Sequence, residues 1–352
     1  MMKYLKNLRL FGKLVNIGVE NGKIAEIISA DSFVDGEDFG GAKIYPGLID
    51  IHSHGAVGID TMDAELETLA KYYLDRGVTT WYPTTMTMSR EDVNKVTSQK
   101  LPANGANIPG FHLEGPFLNP AKCGAQDPAH ITAPSTEWLE GMDNVKLITV
   151  APESEGGIDF ISRVNAVVCI GHTTADYDTA CAAFSAGAKC LTHTFNAMPS
   201  IAHRAPGPIV AGADMGAYAQ IICDGIHIHP AVIRMAVRMF GKDKIILISD
   251  SMCATGLSDG EYCLGGLPTF VNGGVATLKD GTLAGSTVNL FECVKRAISF
   301  GIPEEDAVKM ASENPARLMG LNKGKIAVGM DADFIIVNDE FELLRSVARG
   351  EI

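Results

Sequence analysis

Between about Lys43 and Leu321 the chain alternates short apolar runs with segments of helical periodicity, and the alternation recurs eight times. The runs are Ile44 to Ile51, Val78 to Tyr82, Ile108 to Glu114, Val145 to Val150, Val167 to Ile170, Cys190 to Thr194, Tyr218 to Cys223 and Lys244 to Ser249. Runs of this length read as strands. Helical spacing fills most of the gaps: Leu66, Leu69, Ala70, Tyr73 and Leu74 recur at i, i+3, i+4, i+7 and i+8, with Gly77 as the stop. Ala231 to Phe240 and Ser286 to Phe300 are further cases. Eight β-α units over about 270 residues predict an α/β fold of the (β/α)8, or TIM-barrel, type. A doubly wound sheet is the competitor, but it usually has fewer strands, and no Gly-x-Gly-x-x-Gly follows the first run.

The ends differ from the middle. Val15 to Val19, the turn pair Asn21-Gly22, and Lys23 to Ile28 form a hairpin pattern, and Gly329 to Asp333 lead into the apolar run Phe334 to Val337. Residues 1–45 and 322–352 are therefore expected to build a small β-sandwich beside a catalytic barrel of residues 46–321. A total of 352 residues suits that division. Residues 259–280, with two Gly pairs, read as a hairpin inserted after the eighth strand, without a legible role.

Composition narrows the function. The net charge of −13 repels phosphate backbones, which argues against nucleic-acid binding, yet leaves room for one small phosphorylated ligand at a local basic group. The eight cysteines include no Cys-x-x-Cys pair and several sit in apolar runs such as Val167 to Ile170, so they read as free thiols in a reducing compartment. Met1 to Lys6 lack a signal-peptide core, and no stretch approaches the roughly 18 apolar residues of a membrane span. A cytoplasmic protein with no membrane partner is expected.

Chemistry gathers at the strand ends. His52 and His54 stand at i and i+2, so both rings face one side of a strand. The third strand ends in His112-Leu113-Glu114, the fifth in His172, the sixth holds His193, the seventh runs into Asp224-Gly225-Ile226-His227, and the eighth ends at Asp250. In a barrel these ends meet at one face. A set of imidazoles and carboxylates there suits Zn²⁺ or Fe²⁺, one or two per chain. Asp250, on the last strand, is the candidate proton carrier, and the chemistry implied is metal-assisted hydrolysis of an amide-like bond.

Over nearly its whole length the sequence resembles the amidohydrolase superfamily, and within it the N-acetylglucosamine-6-phosphate deacetylases. The resemblance is carried by Pro46 to Gly55, His112-Leu113-Glu114-Gly115-Pro116-Phe117, Gly171-His172-Thr173, Thr192 to Pro199, Asp224 to His227 and Leu283 to Ser286. It implies that Glu114, His172 and His193 are core metal ligands and that Asp250 is the catalytic acid/base. It also implies contacts to the sugar phosphate from Asn196 and Ala197, and to the substrate from His227, Ala125, Gln126, Leu283, Ala284 and Gly285. Arg204 matches the phosphate-binding arginine, which in this family can come from the neighbouring subunit of a homodimer. Because His52 and His54 are both present, a second ion is possible, with Glu114 bridging. Lys146 lies at the start of the fourth strand, the wrong end for a bridging lysine, which argues against a cyclic amidase. His112 is expected to support the site; His130 and His229 have no task. The implied activity is removal of acetyl from N-acetyl-D-glucosamine 6-phosphate; the rivals are the galactosamine epimer and a silent sugar-phosphate sensor.

Overall fold

The structure, a computed structural model, describes residues 2–351. Eight strands follow one another in chain order: Leu48–Ser53, Val78–Thr85, Phe111–Glu114, Val145–Val150, Val167–Ile170, Cys190–Leu191, Tyr218–Ile222 and Ile245–Ile248. Each pairs in parallel with the next. The last strand meets the first where Asp250 N–H donates to His52 O at 2.9 Å and Ser249 Oγ donates to Asp50 Oδ2 at 2.5 Å. This is the expected TIM barrel. Ile49, Ile51, Leu147, Cys169, Ile222, Ile246 and Ile248 pack its interior, and a second core lies between strands and helices.

Helices begin where a polar side chain can accept their first free N–H groups. Ser89 accepts from Asp92 N–H, Asp176 from Thr179 N–H and Asn289 from Glu292 N–H. The last of these shortens the helix expected over 286–300 to Leu290–Ser299. Ser286 is held away from it, its Oγ donating to Ser249 O at 2.5 Å. After the third strand, residues 115–144 form only the short 3-10 turns Pro120–Lys122, Pro128–His130 and Glu137–Leu139. Pro116, Pro120, Pro128 and Pro134 each remove an N–H that a longer helix would need.

One apolar run serves two sheets. Lys43–Pro46 pairs antiparallel with Phe334–Val337, and the barrel strand starts only at Leu48. The break falls at Gly47, where a Cβ would lie 2.2 Å from Thr79 Oγ1, so no larger residue fits. Lys43–Pro46 belongs to a seven-stranded sheet with Lys3–Leu10, Lys13–Glu20, Lys23–Ser29, Gly36–Asp38, Phe334–Val337 and Leu343–Val347. It wraps its own core of Leu5, Leu8, Ile17, Ile24, Ile44, Phe334 and Ile336. Its hairpin turn has φ +51° at Asn21 and +72° at Gly22, the positive pair that matches strand twist.

A buried ion pair pins this sheet to the barrel. Lys323 Nζ bonds Asp333 Oδ2 and donates to Thr80 Oγ1 on the second barrel strand at 3.0 Å, while Arg349 N–H donates to Asp333 Oδ1 at 2.6 Å. Both side chains are nearly sealed from water. Asp333→Ala leaves the ammonium buried without its counter-ion and is expected to lower stability by about 3–5 kcal/mol. Denaturant unfolding would show it, and a loss under about 1 kcal/mol would mean that water reaches Lys323.

Candidate active site

Six side chains from the strand ends converge at the carboxyl end of the barrel, all of them buried. Glu114 Oε1 lies 3.2 Å from His52 Nε2, 3.2 Å from His172 Nε2 and 2.9 Å from His193 Nε2; Oε2 lies 3.1 Å from His54 Nε2. The rings also face one another, with Nε2 to Nε2 distances of 2.9 Å for His172 and His193 and 3.3 Å for His52 and His54. Asp250 Oδ1 stands 3.4 Å from Nε2 of both first-strand histidines. Two donor groups result, His52-His54-Glu114 and Glu114-His172-His193, sharing one carboxylate.

The donor set fits divalent ions on its own chemistry. His172 Nδ1 donates to Lys122 O at 2.7 Å, so a neutral ring keeps its lone pair on Nε2, aimed at a carboxylate that also offers only lone pairs. Such an electron-rich cluster repels itself unless cations sit inside it. Ligand atoms held about 2.0–2.1 Å from a tetrahedral ion are themselves roughly 3.4 Å apart, close to the separations here.

Protons compete for the same positions. Burial opposes charge on His54, but hydrogen bonds to Asp250 and Glu114 push it up to about 10. Burial likewise opposes charge on His52, and Glu114 and Asp250 still raise it. Against the penalty of burial, His52 and His172 hold Glu114 well below the usual carboxylate range, and His52 and His54 lower Asp250. A ring with a raised pKa is charged below that value and free to bind metal only as pH rises. Affinity of stripped protein for Zn²⁺ is therefore expected to climb between about pH 6 and about pH 8, up to about tenfold per unit for each proton displaced. Chelator competition measures this, and a flat profile would mean the rings are already neutral.

Local backbone geometry aims these groups. His172, His193 and Asp250 have φ of +48°, +24° and +49°, and Phe195 and Ala197 follow at +82° and +51°. Non-glycine residues in this region gather where surrounding structure over-determines them. The sixth strand accordingly stops at Leu191 and not at Thr194, since His193 has left the extended conformation. Gly115 (φ +94°) lets Thr87 Oγ1 donate to Glu114 O at 2.9 Å; a Cβ there would sit 2.0 Å from that hydroxyl.

A cavity of about 350 Å³ opens over the cluster. Its wall includes His54, Glu114, Ala125, Gln126, His172, His193, Asn196, Ala197, His227, Asp250, Leu283 and Gly285. Ala284 is buried beside it and His52 lies behind it, fully buried. Arg204 is not on this wall: it stands in the exposed loop 201–205, its Nη1 2.8 Å from His203 Nε2. His227 Nδ1 bonds Asp224 Oδ2 at 2.6 Å, which offsets burial and raises its pKa. His229 caps the helix Pro230–Phe240, its Nδ1 accepting from Ala231 N–H at 3.2 Å. Gln126 Nε2 donates to Glu114 Oε2 at 2.6 Å, so its amide is tied to the carboxylate. His112 bonds Ile51 O and Thr149 Oγ1 and packs edge-on against His52, a neutral prop that burial holds well below its usual pKa.

Sequence reading missed three contributors. Lys122 lines the cavity and orients His172 through its carbonyl. The 259–280 insertion is a three-stranded sheet, Gly260–Leu264, Leu267–Asn272 and Val275–Thr277, and puts Leu264 on the cavity wall. Gln220 on the seventh strand bonds two of the histidines. Its signal was visible: a lone amide inside Ala219 to Ile222.

This barrel, with its histidine and carboxylate cluster at the strand ends, belongs to the amidohydrolase family, whose model matches residues 44–351. Within it the chain belongs with the N-acetylglucosamine-6-phosphate deacetylases. It is 36% identical to the enzyme of that name from Bacillus subtilis over 332 residues, 88% of this chain and 84% of the relative. It is 32% identical to N-acetylgalactosamine-6-phosphate deacetylase from Escherichia coli O157:H7, over 87% of this chain and 86% of the relative. The solved structure of a Mycobacterium smegmatis N-acetyl-D-glucosamine-6-phosphate deacetylase variant, in complex with N-acetyl-D-glucosamine-6-phosphate, aligns with a TM-score of 0.91 at 30% identity. It covers 100% of this chain and 98% of that one.

Proposed function

We propose that this chain removes the acetyl group of N-acetyl-D-glucosamine 6-phosphate, giving D-glucosamine 6-phosphate and acetate. The observation that carries the reading is the shared Glu114 carboxylate among four histidine Nε2 atoms, with Asp250 beside it at the mouth of a sugar-sized cavity. Glu114, His172 and His193 would hold one ion and His52, His54 and Glu114 a second, with Zn²⁺ or Fe²⁺ suited to these donors. A divalent ion there lowers the pKa of water and polarises a carbonyl. Asp250 takes a proton from the attacking water and delivers it to the departing sugar nitrogen. His227, held by Asp224, offers a hydrogen bond to the acetyl oxygen or a sugar hydroxyl. Asn196, Ala197 and an Arg204 reaching in from a neighbouring subunit receive the phosphate, with Ala125, Gln126 and the 283–285 turn around the sugar.

Because Arg204 lies off this chain's own cavity wall, the phosphate role assigned to it requires a homodimer in which it reaches a neighbour's cavity. The barrel, residues 46–321, carries the chemistry, and residues 1–45 and 322–352 brace it. No helix among the described residues is long and apolar enough to cross a membrane, in keeping with a cytoplasmic enzyme. A second reading is the galacto epimer as substrate, favoured by the relative of that name.

Acetate release from both epimers, on stripped protein re-supplied with Zn²⁺ or Fe²⁺, decides between them. No release from either would overturn the activity. Arg204→Ala is expected to raise KM for the phosphorylated sugar roughly tenfold or more, the worth of a charge-assisted bond. Equal losses on unphosphorylated N-acetylglucosamine would count against the phosphate role.

A further inference from the structure

Gln220 is fully buried in the seventh barrel strand. An amide in such a place persists only where its polar atoms are bonded. Its Nε2 donates to Cys169 Sγ at 3.6 Å. Its Oε1 lies 3.3 Å from the backbone nitrogen of His193 and 3.0 Å from His52 Nδ1. A backbone N–H can only donate, so the amide atom facing His193 has to be the oxygen. That settles the His52 ring as well. An oxygen with no hydrogen accepts from Nδ1–H, and a neutral ring carrying its proton on Nδ1 has its lone pair on Nε2. That Nε2 is the atom 3.2 Å from Glu114 Oε1.

The two bonds join different donor groups, since His52 belongs to the first and His193 to the second. Only some of the rings have such support. His172 Nδ1 has the Lys122 carbonyl, whereas His54 Nδ1 and His193 Nδ1 are buried without a partner. His193 instead receives its anchor at the backbone, at φ +24°, where a non-glycine residue needs one.

We infer that Gln220 is a positioning residue: it presents His52 to a metal ion through Nε2 and ties that ring to the backbone of the neighbouring group's histidine. The inference rests on the reading of His52 as a ligand. Gln220→Met removes both acceptor bonds at nearly constant volume, and Gln220→Glu keeps an acceptor oxygen. Both are compared with wild type and His52→Ala for Zn²⁺ content and for Zn²⁺ release to a chelator. Wild type and Gln220→Glu are expected to hold about two ions, and Gln220→Met to bind one of them roughly 10–100-fold more weakly, as His52→Ala does. Wild-type Zn²⁺ content and release in a folded Gln220→Met would overturn the inference.

A second measurement needs no variant. The ¹⁵N spectrum of the metal-free protein, taken at a pH where the His52 ring is neutral, should show its proton on Nδ1, and a neutral ring with its proton on Nε2 would overturn the assignment. If wild type holds one ion and releases it as His52→Ala does, the reading of His52 as a ligand falls and this inference with it. Missing acetyl release with both ions bound would touch only the proposed activity.

Discussion

Replacing Asp250 by Asn is expected to lower kcat by roughly 10²–10⁴-fold while KM stays within a few-fold of wild type, the signature of a lost proton carrier. The substitution is nearly isosteric, and the backbone around it is well held. Asp250 N–H donates to His52 O at 2.9 Å, and Asp250 O accepts from Ser286 N–H at 2.7 Å. The left-handed backbone at φ +49° is one that Asn adopts more readily than most residues, so the fold should survive. What changes is the side-chain oxygen 3.4 Å from His52 and His54, which as an amide can no longer accept a proton. Metal content by elemental analysis should match wild type, which separates a lost carrier from a lost ligand. Near-normal kcat would assign the proton transfer elsewhere, with His227 the next group to test.

The barrel was legible because its strands are buried on both faces and so read as continuous apolar runs. The ligands were legible because a barrel brings every strand end to one rim, so that His52, Glu114, His172, His193 and Asp250 meet although 198 residues separate the outermost of them. Backbone geometry and contacts with residues distant in sequence were not legible. Nothing in Ile44 to Ile51 shows that Gly47 divides the run between two sheets; that follows from the closeness of Thr79, a residue of another strand. The third connection looked unremarkable, yet its prolines replace a helix with turns that bring Lys122 and Gln126 to the site. Arg204 was expected near phosphate from resemblance alone, and its exposed loop could be seen only in three dimensions.

Glu114→Gln tests the shared carboxylate, and its expected effect is the larger. Because both donor groups use Glu114, the variant should lose both ions, whereas His54→Ala or His193→Ala should each leave the opposite group with its own ligands. Losing the ions removes several kcal/mol of transition-state stabilisation, so turnover is expected to fall roughly thousandfold or more. An amide also replaces one carboxylate oxygen by an NH2 group, which has no lone pair to offer a cation, and it removes the charge that both donor groups share. The loss should therefore resist added Zn²⁺, unlike that of a protein merely stripped by a chelator. Elemental analysis and activity at rising Zn²⁺ measure this together, with a thermal melt to establish folding. A folded variant that keeps one ion at full occupancy would show that histidines alone hold a group, and the bridging role would then have to be given up.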